Sequence, residues 1–265
     1  MKKQSTPPVI LITNDDSIFA PGIHALVNAV RPLGKIIVVA PDKAQSGMGH
    51  AITIGQPIRL QKYDGFGPDV EAYQCSGTPV DCVKIAVANI LPAKPTICVS
   101  GINHGANHSI NVIYSGTMSA AVEAAVEDIP SIGFSLLDYS WDADFSHVEK
   151  YIREIVSAVL KSKKLKNYCL NVNIPAKTKQ AIKGIKVCRQ ANAKYQERFD
   201  ERKDPHGKKY YWLTGEFVNF DKGKDTDVAA LKNNYISVVP VQFDLTNYPH
   251  TNHTKKLLEN IHEEG

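Results

Sequence analysis

VILITNDDSI, residues 9–18, sets an apolar run directly against Asn14, Asp15 and Asp16. Val, Ile and Leu in uninterrupted succession read as a strand buried on both faces, and such strands belong to parallel sheets covered by helices. Two adjacent carboxylates at the end of that strand then need a reason. In a continuing strand Asp15 and Asp16 would point to opposite faces, whereas in a loop leaving the strand both can turn toward one centre. Two carboxylates that close repel each other unless a cation neutralises them.

Outward from this stretch the same alternation repeats. VILIT is followed by the helix-period segment PGIHALVNAVRPL, then KIIVVA (35–40), and later by VDCVKIAVANIL, TICVS (96–100), SAAVEAAVEDI and SIGFSL. Apolar strands alternating with amphipathic helices predict an α/β fold: a Rossmann-like parallel-sheet core with helices on both faces. Pro21 opens the first helix at a position where a missing amide hydrogen does no harm. AITIGQPIRLQKYDGF and VEAYQC read as a hairpin or excursion, given Gly55, Pro57 and the DGFG turn. Cores of this kind run to about residue 190. From 191 to 233 the chain turns charged, aromatic and weakly periodic, and it reads as an arm packing on the core or on a second subunit. NYISVVPVQFDL (234–245) returns to strand chemistry, and 253–262 reads as a short terminal helix. The expected division is thus 1–190, catalytic core, and 191–265, a β-rich C-terminal extension used in oligomerisation.

Composition excludes several classes. The chain has 265 residues, 43% of them hydrophobic, and 31 basic residues against 27 acidic ones, a formal charge of +4. So mild a balance argues against a nucleic-acid polymer as partner. The lysines at 161, 163, 164 and 166 follow a helix-like segment, 145–160, where cations complement the carbonyl end of the helix dipole. No apolar run approaches membrane-spanning length, and MKKQSTPPV lacks the apolar centre of a signal peptide. Five cysteines without CxxC spacing (75, 82, 98, 169 and 188) read as small core residues in a reducing compartment. A cytoplasmic protein is expected.

In an open parallel sheet, ligands bind outside the carboxyl ends of the strands, where loops diverge and helix N-termini point inward. After the first strand come Asn14, Asp15 and Asp16. After the second come Asp42 and KAQSGMGH, and after TICV comes SGINHGAN. Asp15, Asp16, Ser46, Asn103 and Asn107 are hard oxygen donors that suit Mg²⁺, Mn²⁺ or Ca²⁺. Histidines 50, 104 and 108 lie in the same loops without zinc-site spacing. Each feature has a plainer reading: Asn14 to Ser17 as a turn and N-cap cluster, QSGMG as a flexible turn, Asn103 as an Asx-turn. Their joint placement at three strand ends favours a site. In YSGTMSAAVEAAVED, Ser115, Gly116 and Thr117 stand where a helix begins, able to hold a phosphate or simply to cap the helix. SGTP at 76–79 has the same form, but Pro79 there favours a structural helix start. His24 reads as a packed or surface residue, and Tyr210, Tyr211 and Trp212 as a core or subunit contact.

With NDD, PDKAQSG, SGTPVDCV, SGINHGAN and VIYSGTMSAAVEAA in order across residues 9–128, and LNVNIP and YISVVPVQFDLT continuing the match, the chain resembles the SurE (survival protein E) family of metal-dependent 5′-nucleotidases. The resemblance implies a Rossmann-like core with a C-terminal extension exchanged between subunits of a homodimer or homotetramer. It implies one divalent ion per subunit, Mg²⁺ or Mn²⁺, and hydrolysis of nucleoside 5′-monophosphates with loose base preference, extending in some members to 3′-nucleotides and short polyphosphate. The family's metal ligands fall on Asp15, Asp16, Ser46 and Asn103, and its phosphate contacts on Asn107, Ser115, Gly116 and Thr117. His50 stands where many members have asparagine and is counted with the phosphate-binding set, as a contact or a proton donor. The family's late GTD appears as Asp225, Thr226 and Asp227. Asp15 and Asp16 are the expected catalytic pair, with Asp16 assigned to the attacking water. Two rival functions use the same kind of sheet. A dinucleotide-dependent oxidoreductase lacks its GxGxxG here. A non-catalytic nucleotide-binding oligomer would use the same loops without turnover.

Overall fold

The computed structural model describes residues 7–162 and 165–259. Met1–Thr6, Lys163, Lys164 and residues 260–265 lie outside the described residues, and with them part of the basic run, the leader reading and the last positions of the expected terminal helix.

Nine strands form one sheet in the order β3-β4-β2-β1-β5-β6-β7-β11-β8. β1 (Val9–Thr13) lies at its centre, parallel to β2 (Lys35–Pro41) on one side and to β5 (Ile97–His104) on the other. Beyond β5 run β6 (Ser131–Leu137) and β7 (Cys169–Pro175), also parallel. Side chains alternate across a strand, so each apolar strand feeds two cores. Ile10 and Ile12 pack with Leu26 and Val27 of α1 (Pro21–Val30) and Ile152 and Val156 of α4 (Glu149–Lys161). Leu11 faces the other way, onto Cys82 and Val83 of α2 (Pro79–Ile85) and Ala120 and Ala124 of α3 (Gly116–Val126). The α/β core with helices on both faces is therefore as the alternation of apolar strands and amphipathic helices predicts. The five cysteines are free and buried.

The excursion between β2 and α2 is a hairpin that rejoins the sheet. β3 (Leu60–Lys62) pairs antiparallel with β4 (Glu71–Cys75), and β4 then runs parallel to β2. SGTP behaves structurally: Thr78 and Asp81 form a reciprocal capping box, with Pro79 in the first turn. His24 is half-buried against the Phe66 ring, 4.4 Å between centroids.

Past residue 190 the chain does two things. β9 (Ala193–Lys203) and β10 (Lys209–Asn219) make a separate antiparallel hairpin whose Phe199, Tyr210, Tyr211, Trp212 and Leu213 are exposed. β11 (Ile236–Val241), after α5 (Asp227–Lys232), returns to the main sheet. There it pairs antiparallel with β7 and parallel with β8 (Ile185–Val187). The segment after 190 thus supplies both an arm and a core strand. The last helix, α6 (Tyr248–Glu259), starts earlier than expected, because Pro249 sits in a first turn that tolerates it.

One close approach holds the centre of the sheet. A Cβ on Gly22, in the first turn of α1, would lie 2.0 Å from the Ile102 carbonyl oxygen, so α1 touches β5 backbone to backbone. Gly22→Ala should therefore cost about 2–3 kcal/mol through overpacking against a backbone that cannot yield, measured as a lowered urea midpoint. An unchanged midpoint would mean that α1 does not lie this close to β5.

Candidate metal and phosphate site

β1 stands between β2 and β5, and the chain crosses to β2 on one side and later to β5 on the other. That makes the carboxyl ends of β1 and β5 the switch point where loops part and leave a crevice. Asp15 and Asp16 leave one strand there, and Asn103 ends the other.

The turn after β1 separates the two readings of NDDS. Asn14 is structural, its Nδ2 donating to the Ser17 carbonyl at 2.7 Å. Ser17 sits at φ 90°, in the left-handed region that disfavours a side chain, and such strain persists only where surroundings impose it. The N-cap residue of α1 is Ala20, without a side-chain cap. The two aspartates are thus not used as caps, and their carboxylates are left for something else.

Asp15 is 2% exposed and rests on the start of α3. The Thr117 hydroxyl donates to Asp15 Oδ1. A Cβ on Gly116 would lie 2.7 Å from Asp15 Cβ, so glycine is what allows the helix to reach the carboxylate. Ser115 caps α3, its Oγ accepting from Met118 N–H at 3.0 Å. Asp16 is 9% exposed, and its Oδ2 accepts from the His104 backbone N–H at 3.1 Å. Burial raises the Asp15 carboxyl well above its ordinary range, and the neighbouring Asp16 raises it further, outweighing the Thr117 hydrogen bonds. Burial also raises Asp16, opposed by the His104 N–H, the His104 ring and the Ser46 hydroxyl.

Asn103 follows a register shift in β5, between Ser100 and Asn103, that re-aims the strand end. Its Nδ2 donates to the carbonyls of His104 (3.1 Å) and Gly105 (2.6 Å), which leaves Oδ1 as the atom free to accept. Ser46 arrives on the loop after β2, which is tied to the site by Gln45 N–H donating to the Asp15 carbonyl at 2.7 Å. Asp15, Ser46, Asn103, Asn107 and Ser115 line one polar cavity of about 290 Å³. Among the described residues no three His, Cys, Asp or Glu side chains gather to hold a metal. A cation here would depend on two carboxylates supplemented by neutral oxygens from Ser46 and Asn103. That hard, oxygen-only set fits Mg²⁺ or Mn²⁺, and a cation would offset the cost of burying two ionised carboxylates.

Not every expected residue reaches the cavity. Gly116 and Thr117 sit against Asp15 rather than on the cavity wall. His50 leaves altogether: its Nε2 lies 2.8 Å from Glu123 Oε2, and it borders a different, apolar cavity of about 890 Å³ that contains none of Asp15, Asp16, Ser46 or Asn103. Gly47 and Gly49, at φ 74° and 57°, turn the chain between Ser46 and His50 and send the two side chains apart.

The structure also shows what holds these residues and adds others beside them. Asn107 is held by a buried polar network: its N–H donates to Asn173 Oδ1 (2.7 Å), its Nδ2 to Ser135 Oγ (2.9 Å), and its carbonyl accepts from Asn171 Nδ2 (2.8 Å). The signal was present in LNVNIP, where two asparagines at i and i+2 share one face of an otherwise apolar strand. Tyr114, Tyr139 and Tyr195 stand around the cavity, Tyr195 coming from β9. The late Asp227 is fully buried and accepts from the N–H groups of Ser109 (2.7 Å) and Ala191 (3.0 Å), fastening the loop after β5 to the base of the arm.

Comparison with known proteins gives the chain's family. The family profile described as Survival protein SurE matches residues 10–197. The chain is 60% identical over 239 residues to a protein of Flavobacterium psychrophilum named 5′-nucleotidase SurE, covering 90% of this chain and 93% of that one. A protein of the same name from Christiangramia forsetii is 61% identical over 240 residues, 90% of this chain and 92% of the other. The crystal structure of the SurE protein from Aquifex aeolicus superposes with a TM-score of 0.82 at 41% identity, over 94% of this chain and 99% of its own. Sequence, fold and the strand-end cavity converge: the chain belongs to the SurE family.

Proposed function

We propose that this chain is a divalent-metal-dependent phosphomonoesterase that hydrolyses nucleoside 5′-monophosphates to nucleoside and phosphate. The observation that carries the reading is the buried pair Asp15 and Asp16, adjacent in sequence, with Asp15, Ser46 and Asn103 lining a small polar cavity and Asp16 bonded to the His104 N–H beside them. The relatives named 5′-nucleotidase SurE supply the reaction class. Asp15, Asp16, Ser46 and Asn103 would hold one Mg²⁺ or Mn²⁺ per subunit, which when bound would stabilise charge on the phosphoryl group and lower the pKa of water.

The protein's own contribution is position. Thr117 and Gly116 fix Asp15, and the His104 N–H holds one oxygen of Asp16, leaving the other to orient the attacking water or take its proton. Asn107 and Ser115 face the space where phosphoryl oxygens would lie, so negative charge building there meets polar groups already in place. Tyr114, Tyr139 and Tyr195 offer aromatic faces at the rim, and stacking on a ring tolerates any base, which favours broad specificity that could extend to 3′-nucleotides and short polyphosphate. The apolar side chains exposed on the β9–β10 hairpin favour a homodimer or homotetramer, and the free, buried cysteines fit a cytoplasmic protein. No helix among the described residues is long and apolar enough to cross a membrane.

Purified protein should release phosphate from AMP with Mn²⁺ or Mg²⁺ and leave adenosine, identified by mass spectrometry. Intact AMP would instead favour a non-catalytic binder. Chelation should abolish the activity, and Asp15→Ala with Asp16→Ala should lower kcat/KM by about 100-fold or more; activity surviving EDTA would sink the metal reading.

Gly116→Ala should displace Asp15 and weaken Mn²⁺ binding by about 10- to 100-fold, read by titration of the metal.

Because both carboxyls are raised in the folded protein, the folded state holds protons that the unfolded chain releases. Metal-free stability is therefore full below the ordinary carboxylate range and is lost as pH rises through the raised values. Metal binding requires the deprotonated pair. The rise in Tm on adding Mn²⁺ should accordingly be larger near about pH 8 than near about pH 5. An equal rise at both would argue that the ion binds elsewhere.

A further inference from the structure

Ser46 has an insecure seat. It is exposed on a loop with Gly47 and Gly49 in left-handed conformations and, in the space around a Cβ at Gly47, no atom within 4 Å. Two backbone hydrogen bonds tie the loop down: Gln45 N–H to the Asp15 carbonyl at 2.7 Å and Gly49 N–H to the Tyr114 carbonyl at 3.2 Å. The next residue, His50, ends the loop on Glu123, a carboxylate 4% exposed in the middle of α3. Lys84 of α2 meets the same carboxylate, Nζ lying 2.6 Å from Oε1. Burial alone would raise the Glu123 carboxyl, but the His50 and Lys84 hydrogen bonds outweigh it and hold it below its ordinary range. A buried carboxylate that meets an imidazole on one oxygen and an ammonium on the other is a fixed anchor, because breaking either contact strands charge away from water.

α3 also bears the groups that seat Asp15. Thr117 and Gly116, in its first turn, touch that aspartate, and Glu123, nearly two turns on, holds the far end of the Ser46 loop. One helix therefore sets the relative position of a carboxylate and a hydroxyl that come from different strand ends.

We propose that His50 is a positioning residue: through Glu123 it clamps the loop bearing Ser46 to α3, and so brings Ser46 into register with Asp15 and Asp16. The inference rests on the metal reading for its consequence but not for the clamp itself. It assigns His50 no contact with substrate, in contrast to the expectation that it meets the phosphate.

The test compares wild type, His50→Ala and His50→Gln, the glutamine amide being able to donate to Glu123 as the imidazole does. In metal-free protein, His50→Ala should speed hydrogen exchange at the Gln45 and Gly49 amides by about tenfold, the loss of one hydrogen bond to a charged group. It should weaken Mn²⁺ binding, followed by electron paramagnetic resonance, by about tenfold. At saturating Mn²⁺ its kcat on AMP should stay near that of wild type, and His50→Gln should restore exchange and affinity together. Unchanged exchange in His50→Ala overturns the clamp. A lower kcat at saturating metal with unchanged Mn²⁺ affinity also overturns it, placing His50 on the substrate instead. If wild type hydrolyses AMP without metal, the metal reading fails, and the exchange comparison still decides the clamp.

Discussion

Two neighbouring carboxylates at the end of β1 are the constraint around which the crevice is arranged. Burying them costs free energy whenever both are ionised, and the cost is met by groups from distant parts of the chain: the Thr117 hydroxyl on Asp15 and the His104 N–H on Asp16. Gly116 is part of the same bargain, since any side chain there would push the helix off Asp15. The central position of β1 explains why the pair sits here. At the switch point, helices and loops depart to both sides, and only there can α3 and the loops after β2 and β5 reach one spot.

Much of this was legible because the information was local. The runs VILIT, KIIVVA and TICVS are strands whose two-faced apolarity follows from burial between helix layers, and the segments after them carry Asp15, Ser46 and Asn103 to the cavity. Asp15, Ser46, Asn103, Asn107 and Ser115 were found in this way. The family motifs fall on the same residues, the helix start at 115–117 included.

What was not legible depends on contacts between residues far apart in the chain. His50 and Glu123 are separated by 73 positions, and nothing in QSGMGH says that two left-handed glycines turn the histidine away from the serine beside it. Asn107 meets Asn173 across 66 positions, and only the sheet register puts them together. Tyr195 joins the rim because the base of the arm is fastened by Asp227 and Ser109, whose partners lie 118 positions apart. The position of β11 is a further case: NYISVVPVQFDL reads as a strand, but its place between β7 and β8 is a matter of topology.

That placement bears on how the chain reaches its fold. β7 is fully buried on both faces, yet its outer edge is paired by a strand that ends at Val241. A growing chain emerging N-terminus first will have made β1 to β7, and with them the strand ends bearing Asp15 and Asn103, while the apolar edge of β7 still has no neighbour. The arm, α5 and β11 must all follow before that edge is closed. An open edge of Leu, Val and Ile invites pairing with another chain. The last quarter of the sequence therefore closes the far edge of the sheet, so a chain cut short before β11 would keep the strand ends that carry Asp15, Asp16, Ser46 and Asn103 and lose its protection against self-association.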